Sequence, residues 1–320
     1  MADRAGAMET VCCDLCGSDD AEVLYIGAGW RRTLPDGIAL ARCRQCGLMY
    51  LNPRPDSNEM DAYYPADYGC FRPAVEDERW GPLRWMRRRK LIQRRKLIEH
   101  YGGLKSGDIL DVGCATGLFL NEMAQAGWRV KGVEPTASAV EYARTRLGLD
   151  VFHGVLGQAT WPPESFDVVT FWDVLEHTFS PGAELAHTAS LLKPGGLVAI
   201  NVPNWRSLDR RIFGAHWIGL DPPRHLYVFT HSTLTALLDR AGLRVLDWVC
   251  FMPSYFSFIA SLDQWLQATS PRWARRVGRA LNAPGVRFIF EPWFTVSNWL
   301  KWSGVISVFA RKEAKETRRA

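Results

Sequence analysis

The chain has 320 residues, 47% of them hydrophobic and 23% charged, with a net charge of +5. That length carries one large α/β domain with a small module, or two modest domains, and the composition excludes a disordered or low-complexity chain. The charge is too small to call for nucleic acid by itself, whereas 14 Trp is an unusually rich supply.

The first residues hold Asp3 and Glu9 and no apolar run, so no secretory signal is read there. The longest uncharged apolar stretch, Trp248 to Leu262, contains Pro253 and is too short to span a membrane. A cytoplasmic protein is expected, at most peripheral at the inner membrane face, with its cysteines reduced or bound to metal.

Residues 1–55 carry two matching loops, Cys13-Asp-Leu-Cys16-Gly and Cys43-Arg-Gln-Cys46-Gly. Four thiolates close a tetrahedral zinc shell, and each loop supplies two from one tight turn. The Gly after each pair permits the left-handed backbone that such a turn needs. A structural zinc on Cys13, Cys16, Cys43 and Cys46 is expected, with no open position for catalysis. Cys12 is the poorer ligand, and Cys70, Cys114 and Cys250 are expected to pack as small apolar groups.

Residues 56–103 read as a connector and a basic helix. Trp85, Leu91, Ile92 and Ile98 recur at helical spacing, and Gly102-Gly103 stops the run. Arg87, Arg88, Arg89, Lys90, Arg94, Arg95 and Lys96 fill the other positions. They suit a solvated face or, alternatively, an anionic surface or phosphate-bearing substrate.

From 104 to 312 strand and helix patterns alternate. Strands are predicted at 108–112, 129–133, 151–152, 166–171, 197–200, 243–246 and 305–309, and helices at 118–125, 137–147, 184–192 and 235–240. The fold class is α/β, a Rossmann-like doubly wound seven-stranded sheet, mostly parallel. Insertions are expected at 203–230 and 252–303, the second helical and rich in aromatic residues, and a charged tail at 313–320.

The first of these strands runs into Asp111-Val-Gly113-Cys-Ala115-Thr-Gly117 and opens a helix. The spacing is not the G-x-G-x-x-G of a dinucleotide site. A carboxylate at 111 would repel a pyrophosphate but suits a cofactor bearing a positive charge and an ammonium group, as S-adenosylmethionine (SAM) does. Glu134, ending the second strand, is placed to accept hydrogen bonds from ribose hydroxyls. Asp111, Gly113, Ala115, Gly117, Glu134 and Asp173 are the candidate cofactor-binding residues.

With Asp-Val-Gly-Cys-Ala-Thr-Gly, the segments Gly-Val-Glu-Pro (132–135), Ser-Phe-Asp-Val-Val (165–169), Leu-Glu-His (175–177) and Leu-Lys-Pro-Gly-Gly (192–196) follow in order. In these the chain resembles class I SAM-dependent methyltransferases, over roughly Leu104 to Lys312. Ala115 stands where that family more often has Gly. His153-Gly-Val-Leu156 lacks the acid that often meets adenine.

The resemblance implies methyl transfer from SAM to a small-molecule acceptor, with the proton acceptor near the ends of the fourth and fifth strands. His225 follows Asp221-Pro-Pro-Arg224, where two prolines stiffen the chain, and His accepts protons near neutral pH. It matches the base of zinc-bearing sugar C-methyltransferases, although Pro-Pro-Arg replaces the acidic and aromatic residues that precede it there. Asp173-x-x-Glu176-His177 resembles ubiquinone-type O-methyltransferases, in which such a set holds a divalent ion; elsewhere it supports the cofactor. A sugar or lipid-linked glycan precursor is the expected acceptor. Quinone-type O-methylation is the alternative, and RNA methylation a more distant one. Asp173-Val-Leu-Glu stands where a base-flipping motif would be, so no nucleic-acid partner is expected.

In the second insertion Phe258, Ile259, Leu262, Trp265 and Leu266 form a helical stripe. Further on, Arg272, Arg275, Arg276 and Arg279 share one face, and Trp273, Val277 and Leu281 take the opposite one. The pattern suits a helix packed on the sheet or, alternatively, one lying in a membrane surface, giving peripheral contact through 256–302.

Overall fold

A computed structural model of the chain describes residues 7–27, 34, 37–64, 81–251, 255–281 and 286–313. The connector segment 65–80 with Cys70, and the tail from 314, lie outside the described residues. At the start, β1 (Met8–Glu9) pairs antiparallel with β5 (Arg54–Pro55), while β2 (Ala21–Ile26), β3 (Ala39–Cys43) and β4 (Met49–Leu51) form an antiparallel ladder. Helix α1 (Gly81–Gly102) follows and ends at the predicted glycine pair.

The alternating region runs β6 (Asp108–Val112), α2 (Leu118–Gln125), β7 (Arg129–Glu134), α3 (Ala137–Leu147), β8 (Val151–His153), β9 (Phe166–Trp172), α4 (Pro181–Leu191) and β10 (Leu192–Pro203). After it come α5 (Leu208–Phe213), β11 (Tyr227–Val228), α6 (His231–Arg240), β12 (Leu243–Val249), α7 (Tyr255–Thr269), α8 (Pro271–Leu281), α9 (Val286–Trp299) and β13 (Val305–Lys312). The predicted helix starts at 184 and 235 fall late because capping extends both helices. Ser180 accepts from Ala183 N at the head of α4, and Thr230 accepts from Thr233 N at the head of α6. Each bond satisfies a first-turn N–H that apolar periodicity does not see.

Seven strands form the expected sheet in the order β12-β13-β10-β9-β6-β7-β8. β13 runs antiparallel to both neighbours, β12 and β10, and the four pairs along β10, β9, β6, β7 and β8 are parallel. Leu110, Val169 and Ile200 in its centre are fully buried, which is why these strands are mostly apolar rather than alternating: helices cover both faces. The chain moves outward from β6 through β7 to β8, then returns to β9. The order therefore reverses between β6 and β9, and a crevice opens at their carboxyl ends, where such sheets bind ligands.

The module predicted over 1–55 is completed by a strand from the first insertion. β11 pairs antiparallel with β4, Tyr227 opposite Tyr50 and Val228 opposite Met49, to give a second sheet in the order β11-β4-β3-β2. Tyr50 and Tyr227 are among its buried side chains. Arg54, 5% exposed, donates to the Phe179 carbonyl at 3.1 Å and to Glu9 at 2.7 Å.

In the second insertion the faces of α8 differ from the predicted ones. Ala274 is buried, Val277 and Leu281 are half-buried, and Trp273 is exposed beside Arg276. The packing stripe is thus turned about the helix toward Ala274, because a small residue admits the neighbouring helix more closely than Trp does. The side chains of Arg275 and Arg279 lie outside the described residues.

Candidate active site

The turn after β6 has the backbone that the cofactor reading needs. Gly113 and Gly117 both have left-handed φ, +68° and +78°. A Cβ at Gly113 would meet Val174 at 2.6 Å, and one at Gly117 would meet Leu149 at 2.5 Å. Ala115 is also left-handed, with φ +48°. That conformation is strained for any residue with a Cβ and explains why Gly is common there. Glu134 holds the turn: its carboxylate accepts from Ala115 N and from Thr136 N, each at 2.9 Å. Predicted as a ribose acceptor, Glu134 is thus first a brace, with lone pairs left over for a ligand.

Asp111, next to last in β6, is 3% exposed and accepts from the Thr170 hydroxyl at 2.6 Å. Burial pushes its carboxyl up to about 7, against the pull of Thr170 and Arg94. Below that pH the group is neutral and attracts no ammonium; above it the group is ionised. SAM affinity in a calorimetric titration should therefore rise as pH increases through about 7, by up to about tenfold per unit on the acid side. Asp111→Asn should bind weakly and without this slope; a parent curve flat from about pH 6 to 8 would contradict the assignment.

Asp173, at the end of β9, also has left-handed φ, +61°. Its carboxylate accepts from Asn201 on β10, and Arg94 of α1 lies 3.6 Å away, its guanidinium 4.5 Å from the Trp172 ring centre. Arg94 was read only as one of a run of cations. The signal that singles it out is its place on the apolar stripe: Leu91, Arg94 and Ile98 stand at i, i+3 and i+7.

Behind Asp173 the structure gathers Glu176, His177 and His225, with ligand atoms within 4.8 Å of one another. The imidazoles meet edge to face, ring centres 4.6 Å apart. His225 Nδ1 is 2.9 Å from the Gly219 carbonyl, and His177 Nδ1 is 2.9 Å from the Arg224 carbonyl and 3.0 Å from Tyr64 Oη. A carbonyl only accepts, so each Nδ1 carries the proton and each Nε2 keeps its lone pair. Burial holds both rings neutral; it pushes His177 down to about 3, with His225 adding to the effect, and lowers His225 as well. Glu176 is fully buried, and neither carboxylate oxygen meets a hydrogen-bond donor among the described residues. Burial, with Asp173 nearby, raises its carboxyl well above the usual range.

The loop carrying His225 is fixed by more than its prolines. Asp221 grips Arg224 with both oxygens, at 2.7 and 2.8 Å. Leu226 N donates to the Glu176 carbonyl at 2.8 Å, and Leu51 N donates to the Leu226 carbonyl at 2.9 Å. The backbone around His225 is thereby strung between Glu176 and the N-terminal sheet.

The four predicted cysteines converge at one point. Cys13 and Cys46 Sγ are 3.4 Å apart, as are Cys16 and Cys43 Sγ, and all four lie within 4.8 Å of one another. Sulfurs about 2.3 Å from a zinc stand a little under 4 Å apart in a tetrahedron, so the set fits that ion. Gly17 N and Gly47 N close the two turns on the Cys13 and Cys43 carbonyls, both glycines left-handed as expected. Cys114 and Cys250 are buried, as predicted.

The strand order, with one antiparallel strand, and the braced glycine turn at the switch point are those of the class I SAM-dependent methyltransferase fold. A family model described as a methyltransferase domain matches residues 83–247, and the chain belongs to that family. The chain is similar to a ubiquinone biosynthesis O-methyltransferase of Rhodopseudomonas palustris, 29% identical over 170 residues. That match covers 50% of this chain and 66% of the relative, just under two thirds of its length. The corresponding protein of Coxiella burnetii is 32% identical over 181 residues, covering 52% and 77%. A crystal structure of a SAM-dependent methyltransferase from Archaeoglobus fulgidus is similar at 18% identity with a TM-score of 0.48, covering 71% of this chain and 94% of that one.

Proposed function

We propose that the protein transfers the methyl group of SAM to an oxygen of a small, quinone-type acceptor, with His225 taking the acceptor's proton. The supporting observation is the pair of neutral imidazoles, each with its Nε2 lone pair, gathered behind Asp173 at the cofactor crevice. The relatives' O-methyltransferase names favour oxygen as the acceptor atom, and a sugar hydroxyl is the second candidate. SAM supplies an electrophilic methyl on a positively charged sulfur. Asp111 and Glu134 would hold it by its ammonium and ribose. In-line displacement needs the acceptor aligned and its proton removed, and Asp173, fixed by Asn201 beside Arg94, is placed to orient the incoming group.

One observation favours a second arrangement at the same place. A fully buried carboxylate without a donor, beside two imidazoles whose other nitrogens donate to carbonyls, fits a divalent cation. Glu176, His177 and His225 would hold such an ion, and its charge would lower the pKa of a bound hydroxyl. Cys13, Cys16, Cys43 and Cys46 are proposed to hold a separate, structural zinc.

Transfer of labelled methyl from SAM to a panel of phenolic and sugar acceptors tests the reading. Product on a phenolic oxygen, unaffected by chelators that leave the cysteine site loaded, is the expected result. Activity that falls on chelation and returns with magnesium or manganese would select the ion-assisted arrangement. A protein that binds SAM and methylates only sugars would overturn the acceptor class.

A further inference from the structure

Helices α7–α9 display large apolar side chains that the described structure leaves uncovered. Trp265, Trp273, Trp293, Val296, Trp299 and Trp302 are each at least 40% exposed, and Trp299 reaches 82%. The cause is visible on α9, which has two apolar faces. Phe290 and Phe294 turn inward and pack on Tyr255 and Phe258 of α7. Trp293, Val296 and Trp299, three residues apart, turn outward with no charged residue among them. A monomer seldom leaves this many large aromatic side chains of one helical insertion in water without a use for them.

The chemistry of the patch identifies the occupant. Trp is the side chain enriched at the interface of water and hydrocarbon, where its ring is apolar and its N–H remains wet. The neighbouring α8 has no acidic residue in its sequence, and its exposed Arg272 and Arg276 flank Trp273, with the Arg276 guanidinium 5.8 Å from that ring's centre. The pairing recurs on α1, where exposed Trp85 lies 5.2 Å under the Arg89 guanidinium; the same helix sends Arg94 to Asp173. Cationic charge beside Trp complements anionic lipid headgroups. No described helix is long and apolar enough to cross a membrane, so the geometry is that of helices lying on the surface.

We infer that α7–α9 dock the protein on an anionic bilayer, with the outward Trp side chains at headgroup depth and Arg272 and Arg276 against lipid phosphates. The inference deepens the functional reading, since a docked site draws a lipophilic acceptor from the membrane. It is tested without turnover, so it stands or falls separately from the acceptor's identity.

The test is co-sedimentation of the full chain with vesicles of phosphatidylcholine alone and of phosphatidylcholine with phosphatidylglycerol. Binding to the mixed vesicles, weakened by salt and much reduced on the neutral ones, is expected. Trp293→Ala and Trp299→Ala should each weaken it by roughly tenfold or more, and Arg272→Glu with Arg276→Glu should remove the anionic preference. Unchanged melting and SAM affinity would show these surface variants to be folded. Equal vesicle binding by parent and Trp variants would overturn the inference. So would lipid-free dimerisation that Trp299→Ala abolishes, which would assign the face to a second copy of the chain.

Discussion

His225→Gln is expected to slow methyl transfer by about 10²–10⁴-fold while leaving SAM binding unchanged. Gln is close in size and can still donate an N–H to the Gly219 carbonyl, which His225 Nδ1 meets at 2.9 Å. It has no nitrogen lone pair that takes a proton, so it separates the base from the scaffold. Burial lowers the pKa of His225, so with SAM kept saturating against the Asp111 effect the parent should hold its turnover rate as pH falls until that depressed value is passed. This acid limb should vanish in the variant. Turnover near the parent rate would remove His225 as base and move attention to Asp173, Glu176 and His177, with dependence on added divalent metal deciding among the remaining routes.

Stripping the proposed zinc from the four cysteines should abolish turnover and spare SAM binding. Structural zinc sites supply the folding free energy of small modules outright. Here the cost spreads to the active site along named bonds. Asp14, inside the first cysteine loop, accepts from Ser180 Oγ and Gly182 N, both at 2.7 Å, at the head of α4. Leu51 holds the Leu226 carbonyl, and Leu226 holds Glu176. The cofactor turn, by contrast, is braced by Glu134 within the large sheet. Elemental analysis, calorimetric SAM titration and turnover, before and after a chelator, measure the three quantities. Full turnover in zinc-free protein would refute the coupling, as would loss of SAM affinity in step with zinc.

The large sheet was legible because its signals are local. β6, α2 and α3 lie where the apolar period places them, at 108–112, 118–125 and 137–147, since each is set by burial of its own face. The cysteine pairs and the glycine turn were legible for a similar reason: a few neighbouring residues specify a tight turn. What was not legible depends on contacts distant in sequence. The β4–β11 pairing joins Tyr50 to Tyr227 through strands of three and two residues, too short to show any alternation. Arg94 lies in a run of cations; its place on the stripe of Leu91 and Ile98 marks it as inward-facing, but its partner Asp173, 79 residues away, follows only from the docking of α1. Glu134 was rightly placed beside the glycine turn, but its donor from across that turn, Ala115 N, depends on the left-handed backbone of Ala115, which the side chain of an alanine does not announce. The faces of α8 differ from the predicted ones because the large aromatic ring of Trp273 suggests a buried face, while close helix packing favours the smaller Ala274.

The shared strand pair also bears on where this protein can be cut. A construction starting at residue 83, where the family model begins, would retain all seven strands of the large sheet and lose β4. The backbone of β11 would then present an unpaired edge, with Tyr227 and Val228, each 2% exposed in the intact chain, open to solvent. Such an edge is a template for association with other chains. A fragment that keeps β11 paired therefore has to include β4, and grafting a foreign N-terminal module onto this chain would require a matching β4, in register with Tyr227, rather than a flexible joint.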